Sequence, residues 1–357
     1  MIVLMGAAIL LSSLVVSAIL TGLTRPIATR LGLVSYPRND RYCRKVVPLG
    51  GGIAIFLTIL LAILSGTIAV VTTGPRLGLE PKAFSGRLDE LIWMLICMAG
   101  AFALGLWDDK SRLGPIAKLT GQMAIAAVAA VLAGVRVHLF IHHHLITTII
   151  SALWIALLMN VFNFLDNMDG LCAGIAAIVV AVLLAAAASS GQILVSGLAL
   201  ATIGSLLGFL IHNLPPAKIF MGDAGSLLVG FLVAVLSVRT TYYHQAASGP
   251  WYPVLMPLVA LAVPLYDFTT VVLLRIRQGR SPFVGDTQHF SHRLKRRGLT
   301  DLQTALTLYL ATICTGLGAI YLYWVDMIGA VLIGLQTSML LAIIAILETY
   351  TGRQDGI

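Results

Sequence analysis

Long apolar runs dominate the chain and alternate with short polar breaks. The runs fall near residues 2–24, 50–73, 89–107, 117–135, 145–164, 171–189, 192–212, 225–241, 253–274, 303–324 and 327–347. A helix needs roughly 20 apolar residues to cross a hydrocarbon core about 30 Å thick, and most runs are near that length. The breaks hold Pro, Gly or charged residues, which end helices. The pattern predicts an all-α polytopic membrane protein with about eleven transmembrane helices, built as one domain over 1–357.

The composition excludes a water-soluble protein. The 357 residues are 59% hydrophobic and 11% charged, with a mean hydropathy of +0.96, whereas soluble chains carry about 25% charged residues. A net charge of +8 would suggest a nucleic-acid partner in a soluble chain. In a membrane protein it reflects basic residues kept on one side of the bilayer. We therefore expect the membrane, and no nucleic acid, as a partner.

The basic residues predict the orientation of the helices. With eleven spans, alternate loops place 18 of the 23 Lys and Arg residues on one side and five on the other. The positive-inside rule makes the basic side cytoplasmic and the N-terminus external. The acids and histidines that share the cytoplasmic side are Asp108, Asp109, Asp166, Asp169, Asp223, His289 and His292. Because these residues come from several loops yet face the same water, we expect one assembled site on the cytoplasmic face.

Two acidic motifs indicate a divalent cation. Asp108 and Asp109 end an apolar run where Lys or Arg is usual, and acids there are unfavourable unless they bind a cation or a proton. Asp223 lies between Gly222 and Gly225 just before another run, and helix N-termini attract phosphate. Mg²⁺ is held by one or two carboxylates plus substrate phosphates. Ordinary helix ends are the alternative interpretation of both motifs.

A polar stripe ends the fifth apolar run. Asn160, Asn163, Asp166 and Asp169 recur at helical spacing, which places them on roughly one face of a helix. Such a stripe can also satisfy neighbouring helices in a bundle. Two amides and two acids exceed what helix association requires, so we interpret the stripe as part of the site.

The longest basic loop carries two histidines three residues apart. His289, His292 and Arg293 suit a diphosphate, because imidazolium and guanidinium groups donate charge-assisted hydrogen bonds to phosphate oxygens. Attraction to anionic lipid explains the following cations, Lys295–Arg297. Asp267 lies inside the ninth run, and an ionisable residue there is a functional candidate by default.

The first cytoplasmic loop adds several cations, Lys45 among them, and a run of glycines. Lys45 precedes Gly50–Gly52, and the loop is predicted to contribute to substrate binding. Close packing of helices is the alternative role for the glycines.

These segments, in this order, resemble the polyprenyl-phosphate N-acetylhexosamine-1-phosphate transferases, a family of polytopic membrane enzymes. The matching pieces are 37–52, Asp108–Asp109, Asn160–Gly170, Phe220–Ser226, Pro264–Asp267 and His289–Arg293. The resemblance implies transfer of a sugar 1-phosphate from a UDP-sugar to a polyprenyl phosphate such as undecaprenyl phosphate. The reaction releases UMP, uses Mg²⁺ with Mn²⁺ as a substitute, and starts cell-envelope polysaccharide synthesis. The implied location is the bacterial inner membrane, and a homodimer is left open.

The resemblance also implies roles for individual residues. Asp223 and Asn163 would bind the metal, while Asp108 and Asp109 would position or deprotonate the lipid phosphate. Asp166 and Asp169 would complete the catalytic group. The residues expected to bind substrate are His289, His292, Arg293, Asn160, Lys45 and Gly222.

The last loop indicates a branch of the family. Its sequence from His289 to Arg293 is nearest the branch that makes undecaprenyl-diphosphate-GlcNAc, which carries His-x-His-His-Arg. Ser291 stands where that branch has His, and Ser35 and Cys43 depart from the first-loop pattern. The alternative is a phospho-MurNAc-pentapeptide transferase. A secondary transporter would instead need acids near mid-span and related halves, and no internal repeat is visible.

Overall fold

The chain folds almost entirely into helices. The computed structural model describes residues 2–36, 46–73, 88–137, 143–240, 242, 250–279, 281 and 289–349. The α-helices are α1 Ile2–Arg30, α2 Gly51–Thr73, α3 Leu88–Ser111, α4 Pro115–Val131, α5 His144–Leu165, α6 Leu171–Ser189, α7 Ile193–Asn213, α8 Gly222–Arg239, α9 Met256–Ala260, α10 Ala262–Arg277, α11 Phe290–Arg296, α12 Asp301–Tyr321 and α13 Met327–Thr349. A two-residue antiparallel pair, β1 Val34–Ser35 with β2 Val47–Pro48, joins the ends of the first loop. The predicted all-α polytopic membrane protein is confirmed.

Every predicted apolar run contains a helix. Within the described residues, nine helices are long and apolar enough to cross a membrane, and a bent pair would make ten. Helix α4, with 17 residues, is apolar but shorter than these. The total of eleven spans and the side on which each loop lies stay predictions.

The ninth run is broken rather than continuous. Its two parts, Tyr252–Ala260 and Ala262–Arg277, meet at an angle of 64°. Pro264 has no N–H to donate to the carbonyl of Ala260, and its ring crowds that carbonyl. The prediction of one continuous helix over 253–274 was therefore wrong.

Helix α4 ends four residues before the predicted 135. The N–H groups of Ala133 and Val135 donate to the carbonyls of Val128 and Ala129, at 3.4 and 3.1 Å. Gly134 has a φ of +62°, the left-handed conformation that closes such a helix end.

The described chain divides into two compact units, Met1–Thr241 and Tyr242–Ile357. In the first unit α8 is the central helix, because 83% of its residues are buried. It packs against α3 and α5. In the second unit α12 packs against α9, α10, α11 and α13. The expectation of one domain over 1–357 stays a prediction.

Glycines let two helices reach the backbone at the start of α8. A Cβ at Gly52 would strike the backbone of Gly225, and a Cβ at Gly105 would strike the carbonyl of Asp223. The Gly52 N–H also donates to the Met221 carbonyl at 3.0 Å. Close helix packing, the alternative role considered for the first-loop glycines, is therefore present at Gly52.

Candidate active site

Three side-chain oxygens from three helices converge on one ammonium group in the first unit. Lys118 Nζ lies 2.7 Å from Asp108 Oδ2, 2.5 Å from Asp223 Oδ2 and 3.1 Å from Asn163 Oδ1. The exposed fractions of these charged side chains are 14% for Lys118, 11% for Asp108 and 25% for Asp223. We call Asp108, Asp109, Lys118, Asn163 and Asp223 the Lys118 cluster.

A tight turn brings Asp108 and Lys118 together. Asp108 lies in the last turn of α3, and its Oδ1 accepts a hydrogen bond from the Leu113 N–H at 2.6 Å. Pro115 begins α4, a position where its missing N–H costs no helical hydrogen bond. Lys118 then follows one turn into the helix. The short connection between α3 and α4 therefore places the Lys118 ammonium beside the Asp108 carboxylate.

Asp109 has a different environment from its neighbour. Its two carboxylate oxygens accept hydrogen bonds from the N–H groups of Asp223 and Ala224, at 2.9 and 3.0 Å. These are among the first N–H groups of α8, which have no partner within the helix. Asp109 therefore fixes the start of α8 and, with it, Asp223.

Gly222 is required by this contact. Its φ is +71°, and an added Cβ would lie 2.6 Å from Asp109 Oδ2. A side chain there would displace the Asp109 carboxylate from the helix start. In the structure Gly222 therefore leaves room for the Asp109 carboxylate at the start of α8. Its predicted role in substrate binding stays a prediction.

Two amides continue the polar stripe of α5. Asn163 Nδ2 donates to Asp223 Oδ1 and to Ser226 Oγ, both at 2.9 Å, which leaves its oxygen directed at Lys118. One turn earlier, Asn160 Nδ2 donates to Gln122 Oε1 at 2.6 Å. Gln122 is fully buried and lies one turn after Lys118 on α4. These two contacts, of Asn163 with Lys118 and of Asn160 with Gln122, fix the register of α4 against α5.

The remaining acids of the stripe lie at the end of α5. Asp166 caps the helix. Asp169 Oδ2 accepts a hydrogen bond from the Ala217 N–H at 2.9 Å, and Asn213 Oδ1 accepts from the Gly170 N–H at 2.9 Å. Asp169 thus ties the α5–α6 turn to the loop that leads into α8. A catalytic role for Asp166 and Asp169 stays a prediction.

In the second unit, one buried carboxylate organises the basic residues. Asp267 Oδ1 accepts a hydrogen bond from the Phe290 N–H at 2.7 Å, and Asp267 Oδ2 lies 3.1 Å from His289 Nδ1. The rings of His289 and His292 contact edge to face, with centroids 6.2 Å apart. Arg293 Nη2 donates to Thr270 Oγ1 at 3.2 Å. We call Asp267, Thr270, His289, His292 and Arg293 the Asp267 cluster.

His292 is held neutral at ordinary pH. Burial lowers its pKa to about 4, and the neighbouring His289 and Lys295 act in the same direction. Lys295 itself forms an ion pair with Asp301. His292 therefore contributes a neutral imidazole near pH 7.

The oxygens of the Lys118 cluster fit a hard divalent cation. Two carboxyl groups and one amide carbonyl converge on one point, and the cluster holds three acidic side chains beside one ammonium. No group of three or more His, Cys, Asp or Glu side chains within the described residues is arranged to hold a metal alone. Mg²⁺ sites that are completed by water and substrate phosphates need only one or two carboxylates.

Sequence reasoning missed several residues and could not place others. Lys118 entered the prediction only as one of the basic residues that orient the helices, although it follows Asp109 by nine residues and Pro115 by three. Gln122 and Thr270 carried no sequence signal of their own. Lys45 lies outside the described residues. The expectation that the acids and the histidines form one site stays a prediction.

Comparisons with known proteins agree with these motifs. The sequence profile described as "Glycosyl transferase family 4" matches residues 91–241, which include the whole Lys118 cluster. A Bacillus subtilis (strain 168) protein named "Probable undecaprenyl-phosphate N-acetylglucosaminyl 1-phosphate transferase" is 31% identical over 321 residues, covering 87% of this chain and 83% of that protein.

Two further relatives carry similar names. A Mycobacterium leprae (strain TN) "Decaprenyl-phosphate N-acetylglucosaminephosphotransferase" is 30% identical over 325 residues, covering 84% of this chain and 79% of that protein. A Salmonella typhi "Undecaprenyl-phosphate alpha-N-acetylglucosaminyl 1-phosphate transferase" is 29% identical over 324 residues, covering 87% and 82%.

Proposed function

We propose, because the chain belongs to glycosyl transferase family 4, that it transfers a sugar 1-phosphate from a UDP-sugar to a polyprenyl phosphate. The products are a polyprenyl-diphosphate sugar and UMP, and the sugar is GlcNAc or a related N-acetylamino sugar. The names of the relatives in three bacteria support the GlcNAc branch over the MurNAc-pentapeptide branch. Family membership also removes the reason to consider a transporter.

The observation that carries the proposal is the convergence of Asp108, Asn163 and Asp223 on the ammonium group of Lys118. Phosphoryl transfer requires charge on the non-bridging oxygens to be neutralised while the reactants are held in line. Side chains that are fixed before substrate arrives lower the barrier most effectively, because they need not reorganise during the reaction. The hydrogen bonds from Asn163 to Asp223 and Ser226 provide such fixation.

We propose Mg²⁺, with Mn²⁺ as a substitute, as the cofactor. Asp223 and Asn163 would hold it in place of the Lys118 ammonium, and substrate phosphates and water would complete the ligands. When bound, the metal neutralises charge on the diphosphate of the UDP-sugar.

The side chains of the cluster have distinct tasks in this proposal. The Lys118 ammonium donates hydrogen bonds to phosphate oxygens, and Asp108 holds Lys118 in place. Asp109 holds the start of α8, so that Asp223 keeps its position. A lipid phosphate is already largely ionised near pH 7, since its second pKa is about 6, and the acids need not remove a proton.

The second unit supplies cationic and neutral donors. We propose that His289, His292 and Arg293 bind the diphosphate or the sugar of the nucleotide. Arg293 offers a planar fork of N–H donors that matches phosphate oxygens. Neutral His292 is suited to hydrogen bonding rather than to charge neutralisation, because burial lowers its pKa to about 4.

The direct test is transfer by the purified protein. We expect radiolabel from UDP-GlcNAc to enter the organic phase only when undecaprenyl phosphate and Mg²⁺ are both present. UDP-MurNAc-pentapeptide is the competing donor in the same assay. Clear preference for that donor would move the protein to the other branch, and absence of transfer from any UDP-amino sugar would contradict the proposed function.

We also propose that the Lys118 cluster faces the cytoplasm of a bacterial cell, at its inner membrane. Ser111 ends α3 beside the cluster, whereas Ser189 ends α6 on the side assigned as external; both are exposed. In a cysteine-free background, an impermeant thiol reagent added to intact cells should label Ser189→Cys and spare Ser111→Cys. The reverse pattern would invert the topology.

A further inference from the structure

Asp267 makes two buried contacts with the start of α11, the short helix that carries His292 and Arg293. Its carboxylate is 7% exposed and the His289 side chain is 6% exposed. One oxygen accepts from the Phe290 N–H at 2.7 Å, and the other lies 3.1 Å from His289 Nδ1. The partners are 22 residues apart in the chain, so this contact is created by the fold.

The contact defines which nitrogen of His289 carries a hydrogen. An ionised carboxylate can only accept hydrogen bonds, so Nδ1 must be the donor toward Asp267. The second ring nitrogen, Nε2, then has the other role: it is an acceptor in the neutral ring and a donor in the charged ring. Because both partners are buried, water does not compete for the contact, and the ring direction is fixed together with its tautomer.

The same turn of α10 also holds Arg293. Thr270 Oγ1 donates to the Asp267 carbonyl at 3.0 Å and accepts from Arg293 Nη2 at 3.2 Å. A hydroxyl that donates to a backbone carbonyl presents its lone pairs in a defined direction. Asp267 and Thr270 therefore orient two of the residues that the sequence assigns to substrate.

We propose that Asp267 and Thr270 are positioning residues: Asp267 fixes the tautomer and direction of His289, and Thr270 fixes the direction of the Arg293 guanidinium. The inference rests on the proposed function, because it assumes that His289 and Arg293 bind the sugar nucleotide. The competing explanation is purely structural, with Asp267 serving only to begin α11.

Double-mutant cycles separate these explanations, because a residue that acts through another has no further effect once that other is removed. Asp267→Asn keeps an oxygen for the Phe290 N–H but presents an amide N–H to His289 Nδ1, which reverses the tautomer. We expect kcat/KM for the UDP-sugar to fall at least about 10-fold, as in His289→Ala. We expect kcat/KM of the double variant to be no lower than that of the less active single variant.

A matched control exists in the same unit. Asp326 is an exposed acid whose Oδ1 accepts from the Gly329 N–H at the start of α13. Asn caps helices about as well as Asp, so Asp326→Asn should keep unaltered kcat/KM. Asp267→Asn and Asp326→Asn should also have similar melting temperatures in detergent.

Thr270 provides a second, milder cycle. Thr270→Val removes the hydroxyl with little change in shape, and its effect should vanish in an Arg293→Ala background, whereas Thr270→Ser should retain activity. If Asp267→Asn does not fold, this cycle decides the proposal. Multiplicative losses in the double variants, or unaltered kcat/KM in the single ones, would overturn it.

The outcome is separable from that of the proposed function. If the unaltered protein transfers sugar phosphate but the losses multiply, only the positioning roles are wrong. If the unaltered protein transfers nothing, the proposed function is wrong. The same cycles, measured by calorimetric binding of UDP-GlcNAc, then decide whether Asp267 acts through His289.

Discussion

The Lys118 cluster and the Asp267 cluster handle negative charge in opposite ways. The first has three carboxylates and one ammonium, and its charged side chains are partly exposed, up to 25% at Asp223. The second has one carboxylate that is 7% exposed and is already engaged by His289 and the Phe290 N–H. Several acidic side chains that are partly exposed beside one ammonium mark a place where a cation can be added. A buried carboxylate with its partners in place marks a support for other groups.

The largest expected effect tests the excess charge. Asp223→Ala should reduce turnover at least about 1000-fold, because it removes a carboxylate from the converging oxygens, and preorganised electrostatic groups contribute on this scale. The protein should still insert and fold, which size-exclusion chromatography and thermal unfolding in detergent would show. Activity near that of the unaltered protein at ordinary Mg²⁺ would rule out the metal assignment.

Removing the ammonium from the same cluster should have the next largest effect. Lys118→Met leaves Asp108 and Asp223 beside each other without their cation, and loss of one member of a part-buried ion pair is strongly destabilising. We expect about a 100-fold loss of kcat/KM and a lower melting temperature that added Mg²⁺ partly restores. Lys110→Met, at an exposed cation in the last turn of α3, is the matched control. Equal behaviour of the two variants would contradict the role of Lys118.

The second cluster should respond more weakly. Arg293→Ala should cost at least about 2 kcal/mol of transition-state stabilisation, the scale of one charge-assisted hydrogen bond. Single-turnover transfer from UDP-GlcNAc, with the donor below its KM, measures the change. An unaltered kcat/KM would remove Arg293 from substrate binding and leave its contact with Thr270 as packing.

The last expected effect is on stability rather than on transfer, and it concerns the pH dependence that His292 introduces. Its pKa is about 4 in the fold, below the ordinary value near 6.5, so the unfolded chain binds more protons between these values. The free energy of unfolding is therefore unaffected by His292 above pH 6.5. It decreases as the pH falls toward 4, by about 2 kcal/mol at pH 5. His292→Asn should show a shallower decrease in melting temperature between pH 7 and pH 5. A parallel decrease in both proteins would contradict the assignment.

The sequence predicted the helices better than the connections within the site. Apolar runs are sufficient to predict helices in a membrane, but they did not predict the break before Pro264 in the ninth run. Asp108 and Asp109 could not be distinguished, because adjacent residues on a helix point about 100° apart and the rotation of α3 depends on its packing. Only the fold shows that Asp109 binds the start of α8.

The partners of buried Asp267 could not be predicted from the sequence either. Asp267 was flagged because an ionisable residue in a span is unfavourable without a purpose, yet its contact with His289 crosses 22 residues. Lys118 was visible but was explained by topology alone. A cation is a counter-ion or an anchor according to what lies within about 4 Å of it, and that distance is tertiary information.

The backbone contacts at Gly52, Gly105 and Gly225 have a practical consequence for engineering. An added Cβ at Gly52 or Gly105 would meet the backbone of α8, at 2.3 and 2.2 Å, so a substitution there moves whole helices rather than one rotamer. An added Cβ at Gly225 would lie 2.2 Å from the Met221 side chain and 2.9 Å from the Gly52 backbone. A mutant library designed to change the donor sugar should leave all three codons constant. Diversity at Ser291 in the second unit, a side chain that is 1% exposed, should be limited to residues of similar size.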